Sequence, residues 1–541
     1  MNRRFIIPII SLLCMLLFAA CSGKKKDVAN EHSATLSASV SNEYLKVLPA
    51  DAVVIMKLDF GNLLEKSEIL DNVFVKAGIE KGIMELPADQ RSLIKRICDN
   101  PDNSGVNVNA PVYIAVVNME PGRIVFAMAM DDVETFEETL STISDGEFSY
   151  TMRDGMKHID TGDSEVAVAY DSDKIIVVFD ERYASVASYI ELDEDEMALN
   201  KEVYASVFEG DDDVMSACDV ELCGQALVES GEVESEFEPF FAMLQGCALY
   251  WSNDFENGYL VSKANLTLPA ELRDAIDSLV TKSTRRHFKY IPAKSFAVMS
   301  YNFNMTHLYP ALQSMGVLAE LNANGISNSL VKDILKAVSG DYTVACWMNG
   351  RDIEDVQLMA AVDCNDRSIF DLLAAYLVYE IGAKRVDADV YALNINNKEE
   401  YNYYTGEYER VTRGSDYYIM YKNGALMLMP ENLYNELAKG GEFQPLGNSI
   451  MENSLFASMD NDLVVDFKPI CDVLAVEIRN SYYASEDSRI ALELLEMIKN
   501  LTANFNIYNF DAKLNLNDSS VNSLKCLTDK IVSLVVQENI F

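Results

Sequence analysis

The sequence predicts an α+β protein made of two tandem homologous copies, each a mostly antiparallel sheet with helices packed on it. Three observations carry this. The stretch Tyr44 to Phe60, YLKVLPADAVVIMKLDF, returns 243 positions later as HFKYIPAKSFAVMSYNF, His287 to Phe303. Lys46 matches Lys289, Pro49 matches Pro292, Ala50 matches Ala293, Met56 matches Met299 and Phe60 matches Phe303. Within the stretch, apolar side chains recur with period two, the mark of a strand with one buried face. After each copy, strands and helical stretches follow in the same order. Runs of strands broken by helices give α+β layering. A solenoid would need shorter and more numerous units.

Composition sets the outer bounds. Each copy has more than 240 residues, enough to bury a core of its own. Lys plus Arg is 44 and Asp plus Glu is 85, a formal charge of −41. That balance argues against nucleic acid, whose binding rests on cations neutralising phosphates. It argues equally against docking on anionic lipid through the protein surface.

Residues 1–20 read as a lipoprotein signal peptide. Arg3 and Arg4 form a basic start, Phe5 to Phe18 is apolar, and Leu17-Phe18-Ala19-Ala20-Cys21 ends it. A signal peptidase takes the chain extended and needs small residues before its cut. A plain signal peptide and a transmembrane helix are the other readings, and the apolar run is short for a span. Cys21 then becomes the lipidated first residue. Acyl chains contribute about 0.8 kcal/mol per buried methylene, so two or three of them anchor a protein stably. Residues 21–43 are small and polar and read as a flexible tether.

The first copy is assigned to residues 44–285 and the second to 286–541. In the opening strand, Val54, Met56, Leu58 and Phe60 face one way and Val53, Ile55, Lys57 and Asp59 the other. The Met56 side reads as buried, and in the echo the side of Ala297, Met299, Tyr301 and Phe303. Helical stretches are expected from Asn62 to about Ala77 and from Asp89 to Ile97. Pro111 to Val117 and Arg123 to Met130 read as strands. Asp131 to Ile143 reads as a helix that Asp131 or Asp132 caps. In the second copy Ala345 matches Ala115, Ala361 matches Ala129, Asp363 matches Asp131 and Phe370 matches Phe136. Asp171-Ser172-Asp173 and Asn423-Gly424 are hairpin turns in equivalent places. A strand ending at Asp219 corresponds to one ending at Asp460. Terminal helices, Glu271 to Lys282 and Val521 to Val536, close the copies.

The lipobox-like cysteine, the strand opening Leu48-Pro49-Ala50-Asp51 and its repeat Ile291-Pro292-Ala293-Lys294 together resemble a family of Bacteroidetes lipoproteins of unknown function. The resemblance covers the whole mature chain. It implies an envelope protein and supplies no activity. By resemblance to Gram-negative lipoproteins, Ser22 after the cysteine favours the outer membrane. The sequence leaves open whether the protein faces the periplasm or the cell surface.

Chemistry-bearing motifs are sparse. There is no nucleophile elbow, phosphate loop, dinucleotide fingerprint or zinc-protease motif. Asp160-Thr161-Gly162 looks like an aspartic-protease triplet, but that chemistry needs two such loops, and the second copy has none. A turn is the better reading. The acidic runs Glu191 to Glu196 and Asp211 to Asp213 lack calcium-loop spacing and read as solvated. Eight cysteines remain after Cys14 and Cys21, with no CxxC pair. They read as buried free thiols, with one bridge conceivable between Cys346 and Cys364. No metal site and no cofactor are expected.

One segment distinguishes the copies. Tyr170 comes 39 positions after Asp131, and Tyr421 comes 58 after Asp363. The extra length carries Tyr401, Tyr403, Tyr404, Tyr408, Tyr417 and Tyr418 among Asn, Glu and Arg. Tyrosines in such company suit a glycan or protein interface. Cross-strand pairing in an extended hairpin is the plainer alternative. The expected function is therefore non-enzymatic: an outer-membrane-anchored lipoprotein, held by lipid on Cys21, with a binding or scaffolding role in the cell envelope. The alternative is a surface glycan- or peptide-binding lipoprotein. Its partners would be an envelope protein or a glycan.

Overall fold

The computed structural model describes residues 42–537 apart from 85, 120–121, 234–240, 243, 269–272, 274–278, 315–316, 324, 326, 351–354, 394–397, 403–406, 412–416, 440–461, 481–485 and 506–507. The expected signal peptide 1–20, Cys21 and most of the expected tether 21–43 therefore lie outside the described residues, as do Tyr403 and Tyr404. The chain divides into two compact units. Unit 1 is Met1–Pro269 with Asp518–Phe541, and unit 2 is Ala270–Asn517. Each is α+β with an antiparallel sheet.

Unit 1 holds β1 (Val54–Leu58), β2 (Val112–Asn118), β3 (Arg123–Ala129), β4 (Tyr150–Arg153), β5 (Met156–Ile159), β6 (Val166–Tyr170), β7 (Lys174–Asp180), β8 (Val214–Asp219), β9 (Ala248–Glu256) and β10 (Tyr259–Thr267). The sheet runs β10-β9-β8-β1-β2-β3-β7-β6-β5-β4, every neighbour antiparallel. The repeated strand β1 therefore lies inside the sheet, between β2 and β8.

Unit 2 holds β11 (Val280–Thr281), β12 (Ala297–Phe303), β13 (Gly340–Met348), β14 (Val356–Asp363), β15 (Lys384–Asp387), β16 (Val390–Leu393), β17 (Lys398–Asn402), β18 (Glu407–Val411), β19 (Tyr417–Lys422), β20 (Ala425–Pro430), β21 (Leu463–Asp466), β22 (Ile498–Phe505) and β23 (Asn509–Leu516). Its sheet runs β23-β22-β21-β12-β13-β14-β20-β19-β16-β15. β11 also pairs with β12. The strands β17 and β18 form a separate ribbon.

The helices begin where their caps dictate. Asp59 accepts the Asn62 N–H and starts Phe60–Ser67. Glu68 then turns left-handed at φ 45°, so the long helix expected from Asn62 breaks, and Val73–Met84 follows separately. Asp132, not Asp131, caps Val133–Ile143 by accepting the Thr135 N–H at 2.6 Å. Asp366 does the same for Arg367–Ile381, which ends on the left-handed Gly382.

The strand expected to end at Asp460 lies outside the described residues, and β21 pairs with β12 where β8 pairs with β1. Three placements differ from the sequence reading. In the ladders, Ala127 opposes Ile176 as Ala361 opposes Met427, so Ala127 rather than Ala129 holds the place of Ala361. That shift gives the strand the same sequence separation as the helix pair Phe136 and Phe370. Finally, the C-terminal helix Ser523–Gln537 belongs to unit 1. Asp529 accepts from Asn72 at 2.8 Å, Thr528 donates to the Ser67 carbonyl at 3.4 Å, and Lys525 pairs with Glu68 at 3.2 Å. In the stretch expected as the helix Glu271 to Lys282, Val280 and Thr281 are strand.

The buried face of β1 is the opposite of the one expected. Ile55 and Lys57 are buried, whereas Val54, Met56 and Leu58 are half-buried. In β12 the buried residues are Val298 and Ser300, and Ala297, Met299, Tyr301 and Phe303 are half-buried. The cause is Lys57. It looks like a solvent-facing residue, but its amine donates to the Gly210 carbonyl at 2.6 Å and its stem packs inside. The core of unit 1 is built on this side. Small residues on the sheet, Ala115, Ala127 and Ala217, let a layer of Tyr44, Leu48 and Tyr204 approach closely. The Tyr204 hydroxyl donates to the Ala52 carbonyl.

Candidate binding surfaces

The other face of unit 1 is apolar and half-open. It is formed in register by Val54, Met56 and Leu58 on β1, Val112, Ile114 and Val116 on β2, and Ile124 and Phe126 on β3. β8 continues it with Val214, Ser216 and Cys218, and β9 with Leu249 and Trp251. Trp251 and Leu249 are 39% and 47% exposed, and the other residues named are half-buried. At the β3 end the helix Val133–Ile143 covers the sheet with Phe136 and Leu140. Val54, Met56, Leu58, Ile114, Val116 and Ile124 belong to none of the buried clusters of the described residues. Unit 2 repeats the arrangement with Met299, Tyr301, Tyr342, Val344, Cys346 and Leu358, all half-buried. There Tyr301 stacks on Tyr342 at 5.7 Å and meets Phe303 edge-on at 4.5 Å.

An ion cluster lies at one margin of the unit 1 sheet. Lys66, from the helix Phe60–Ser67, reaches Asp213 at 2.8 Å and Asp254 at 2.7 Å. Asp213 also accepts from Asn62 Nδ2 at 2.5 Å and from the Phe255 N–H at 2.8 Å. Burial pushes the Asp213 carboxyl up to about 6, against the pull of Lys66. Asp254 is also desolvated, yet the Lys66 ammonium holds it below the usual carboxylate range. The run Asp211 to Asp213 is thus not the solvated loop expected, since Asp213 is fully buried and tied to the helix Phe60–Ser67 and to β9. Its neighbour Asp212 accepts from the Ser252 hydroxyl at 2.6 Å. The run Glu191 to Glu196 is mostly exposed.

The tyrosine-rich segment accounts for the length difference. It is the ribbon β17–β18, inserted between β16 and β19 at the point where β5 leads straight to β6 in unit 1. Tyr401 and Tyr408 oppose each other in its register. Tyr417 is half-buried on β19. Tyr418 is a core residue, 9% exposed and stacked on Tyr434 at 4.3 Å, so it is no part of a surface. The segment thus divides into an inserted ribbon and a core strand. The same unit exposes Leu372, Tyr376 and Tyr379 at helical spacing on Arg367–Ile381.

The remaining candidates are structural. Asp160 accepts the Gly162 N–H at 3.2 Å and Thr161 donates to the Val166 carbonyl at 2.8 Å, so the triplet is a turn between β5 and β6. His287 is buried with Nε2 3.0 Å from Asp363 and 3.1 Å from the Asp341 carbonyl, joining the start of unit 2 to β13 and β14. All eight cysteines of the described residues are free thiols. Cys346 opposes Leu358, which leaves Cys364 about 20 Å further along β14, out of reach of a bridge. Among the described residues no group of three or more His, Cys, Asp or Glu is placed to hold a metal ion. No helix among them is long and apolar enough to cross a membrane.

Residues 44–524 match the family described as a domain of unknown function, DUF4836. The chain belongs to this family. The match begins at the repeated strand's entry and runs into the C-terminal helix, so it spans both units. No curated protein matches the chain. Among solved structures it is similar to TP0453. Crystal forms III and I of that protein are each 14% identical with a TM-score of 0.24. They cover 44% and 45% of this chain and 88% of their own.

Proposed function

We propose that this chain is a non-enzymatic lipoprotein, anchored in the outer membrane by lipid on Cys21, that binds an apolar ligand in the cell envelope. One observation carries the binding role: the half-open sheet face of Val54, Met56, Leu58, Ile114, Val116 and Ile124. These side chains carry no ionisable group, so the ligand chemistry that fits is an acyl chain. We further propose that the units are tandem homologous copies. The matching strand orders and the common placing of Ala115 and Ala345 opposite the repeated strands support that reading.

Nile red binding tests it, using the full chain with Cys21→Ala so that no detergent is needed. Saturable binding is expected, weakened about tenfold by Met56→Asp, the equivalent of about 1.4 kcal/mol. Met56 is half-buried, so circular dichroism should stay unchanged. Equal binding by both chains would rule out this face. Protease shaving of intact cells assigns the side of the membrane: cleavage means the surface, and survival until the outer membrane is opened means the periplasm.

A second reading, a surface glycan- or peptide-binding lipoprotein, is favoured by the inserted ribbon with Tyr401 and Tyr408. The stripe of Leu372, Tyr376 and Tyr379 adds an exposed protein-docking edge to the same unit.

A further inference from the structure

The polar groups on the open face of unit 1 are gathered at one end. Ser216 of β8 stands opposite Met56 of β1 on one side and Trp251 of β9 on the other. Two residues along β9, Asn253 stands opposite Ser262 of β10. All three polar residues are half-buried. Ser262 accepts the Trp251 indole N–H at 3.1 Å, which fixes the ring beside Ser216 and Asn253. The Ser216 hydroxyl and the Asn253 amide have no partner among the described residues. They are diagonal neighbours on adjacent strands, about 7–8 Å apart, the span of one small head group hydrogen-bonded to both.

The face holds no charge. Along β3, β2, β1, β8, β9 and β10, the residues that share it in register are all uncharged. Lys66 and Lys525, on helices of the same unit, are taken by Asp213 and Asp254 and by Glu68 and Asp529. An anion bound here would lose its water with no cation to replace it, which is costly. The formal charge of −41 opposes it further.

We propose that Ser216 and Asn253 form a head-group subsite, and that the ligand of this face is an acyl chain on an uncharged, hydroxyl-bearing head, as in an acylglycerol, in preference to a free fatty acid. The proposal rests on the acyl-chain reading of the face and adds the polar end of the ligand. Serine and asparagine each donate and accept, as a hydroxyl or an ester of the head does. Met56, opposite Ser216, marks where head gives way to chain. From β8 the apolar surface crosses β1 and β2 to β3, about 14 Å at the usual strand spacing.

Displacement of Nile red from the full chain with Cys21→Ala tests this at pH 8. The competitors are monolauroylglycerol, laurate and methyl laurate, each below the concentration at which it self-associates. They share one acyl chain, so differences between them report the head. Monolauroylglycerol should displace the dye at about one-tenth the concentration that laurate needs, a comparison that requires no variant. Its advantage over methyl laurate, which lacks the hydroxyls, should shrink about tenfold in the chain carrying Ser216→Val and Asn253→Val. Laurate displacing the dye as well as monolauroylglycerol would overturn the uncharged head. An advantage over methyl laurate that the double variant keeps would overturn the subsite. Both outcomes require the dye to bind. Absence of saturable Nile red binding by the parent chain would instead overturn the face itself and the subsite with it.

Discussion

Replacing Lys66 with Met should lower the stability of unit 1 by about 3 kcal/mol near pH 7, since removing one partner of a buried ion pair leaves an uncompensated charge. The Lys66 side chain is 18% exposed and Asp213 is fully buried, so water cannot take the place of the lost ammonium. The Asn62 and Phe255 hydrogen bonds remain and keep the loss from being larger. The loss should depend on pH in a defined direction. A carboxyl whose native value is raised binds its proton more tightly in the folded chain than in the unfolded one. Its contribution is present in acid and disappears as pH rises through the folded value, here about 6. The gap between Lys66→Met and the parent chain should therefore be widest above pH 6 and shrink below it. Urea unfolding at pH 5 and pH 7.5 measures both. A gap that is the same at the two values would mean that Asp213 is not the group left unpaired.

Gly105→Ala should cost about 3 kcal/mol or more, from two additive causes. The residue sits at φ 80°, where a side chain is strained. A Cβ there would also stand 2.5 Å from the Asp132 carbonyl and 2.7 Å from Phe136 Cα, with the Phe136 nitrogen closer still. All three are backbone at the start of the helix Val133–Ile143, so no rotamer change relieves them. The Gly105 carbonyl also accepts from the N–H groups of Asp131 and Asp132 at 3.0 Å, which locks the turn to the helix. Thermal unfolding checks the size of the effect. Since this helix covers the β3 end of the sheet through Phe136 and Leu140, a partial loss of its packing should also raise Nile red binding. Gly146→Ala is the control: that glycine has positive φ too, but open space around it, and should cost only the backbone strain.

The parts of the fold that depend on neighbouring residues were legible. Asn423 at φ 55° and Gly424 at φ 71° make the tight turn that their types demand. Asp132 caps the helix it precedes. The strand pairings of β1 and β12 follow the repeat. What was not legible depends on residues far apart. Nothing near Lys57 announces that the Gly210 carbonyl, 153 positions away, will receive its amine, and so the polar side of β1 was mistaken for the outer one. Asp213 looks like the end of a solvated acidic run because Lys66 lies 147 positions earlier. Tyr418 shares a run of tyrosines with Tyr408 but belongs to a different element. Residue type marked the segment, while strand register decided which of its tyrosines is core.

The apolar face was hidden by the same misreading. Val54, Met56 and Leu58 alternate as core residues do, and alternation alone gives the period of a strand without saying which side another layer will cover. The core formed on the side of the alanines, where close approach to Tyr44 and Tyr204 is possible. The larger aliphatic residues lie on the opposite face.

The most direct measurement is to purify the full chain with Cys21→Ala from its own cells without detergent, extract it with organic solvent and identify what comes off by mass spectrometry. The account predicts acyl-chain molecules in the extract, sharply reduced in the extract of the same chain carrying Met56→Asp. An extract free of such molecules, or one identical for the two chains, would contradict it.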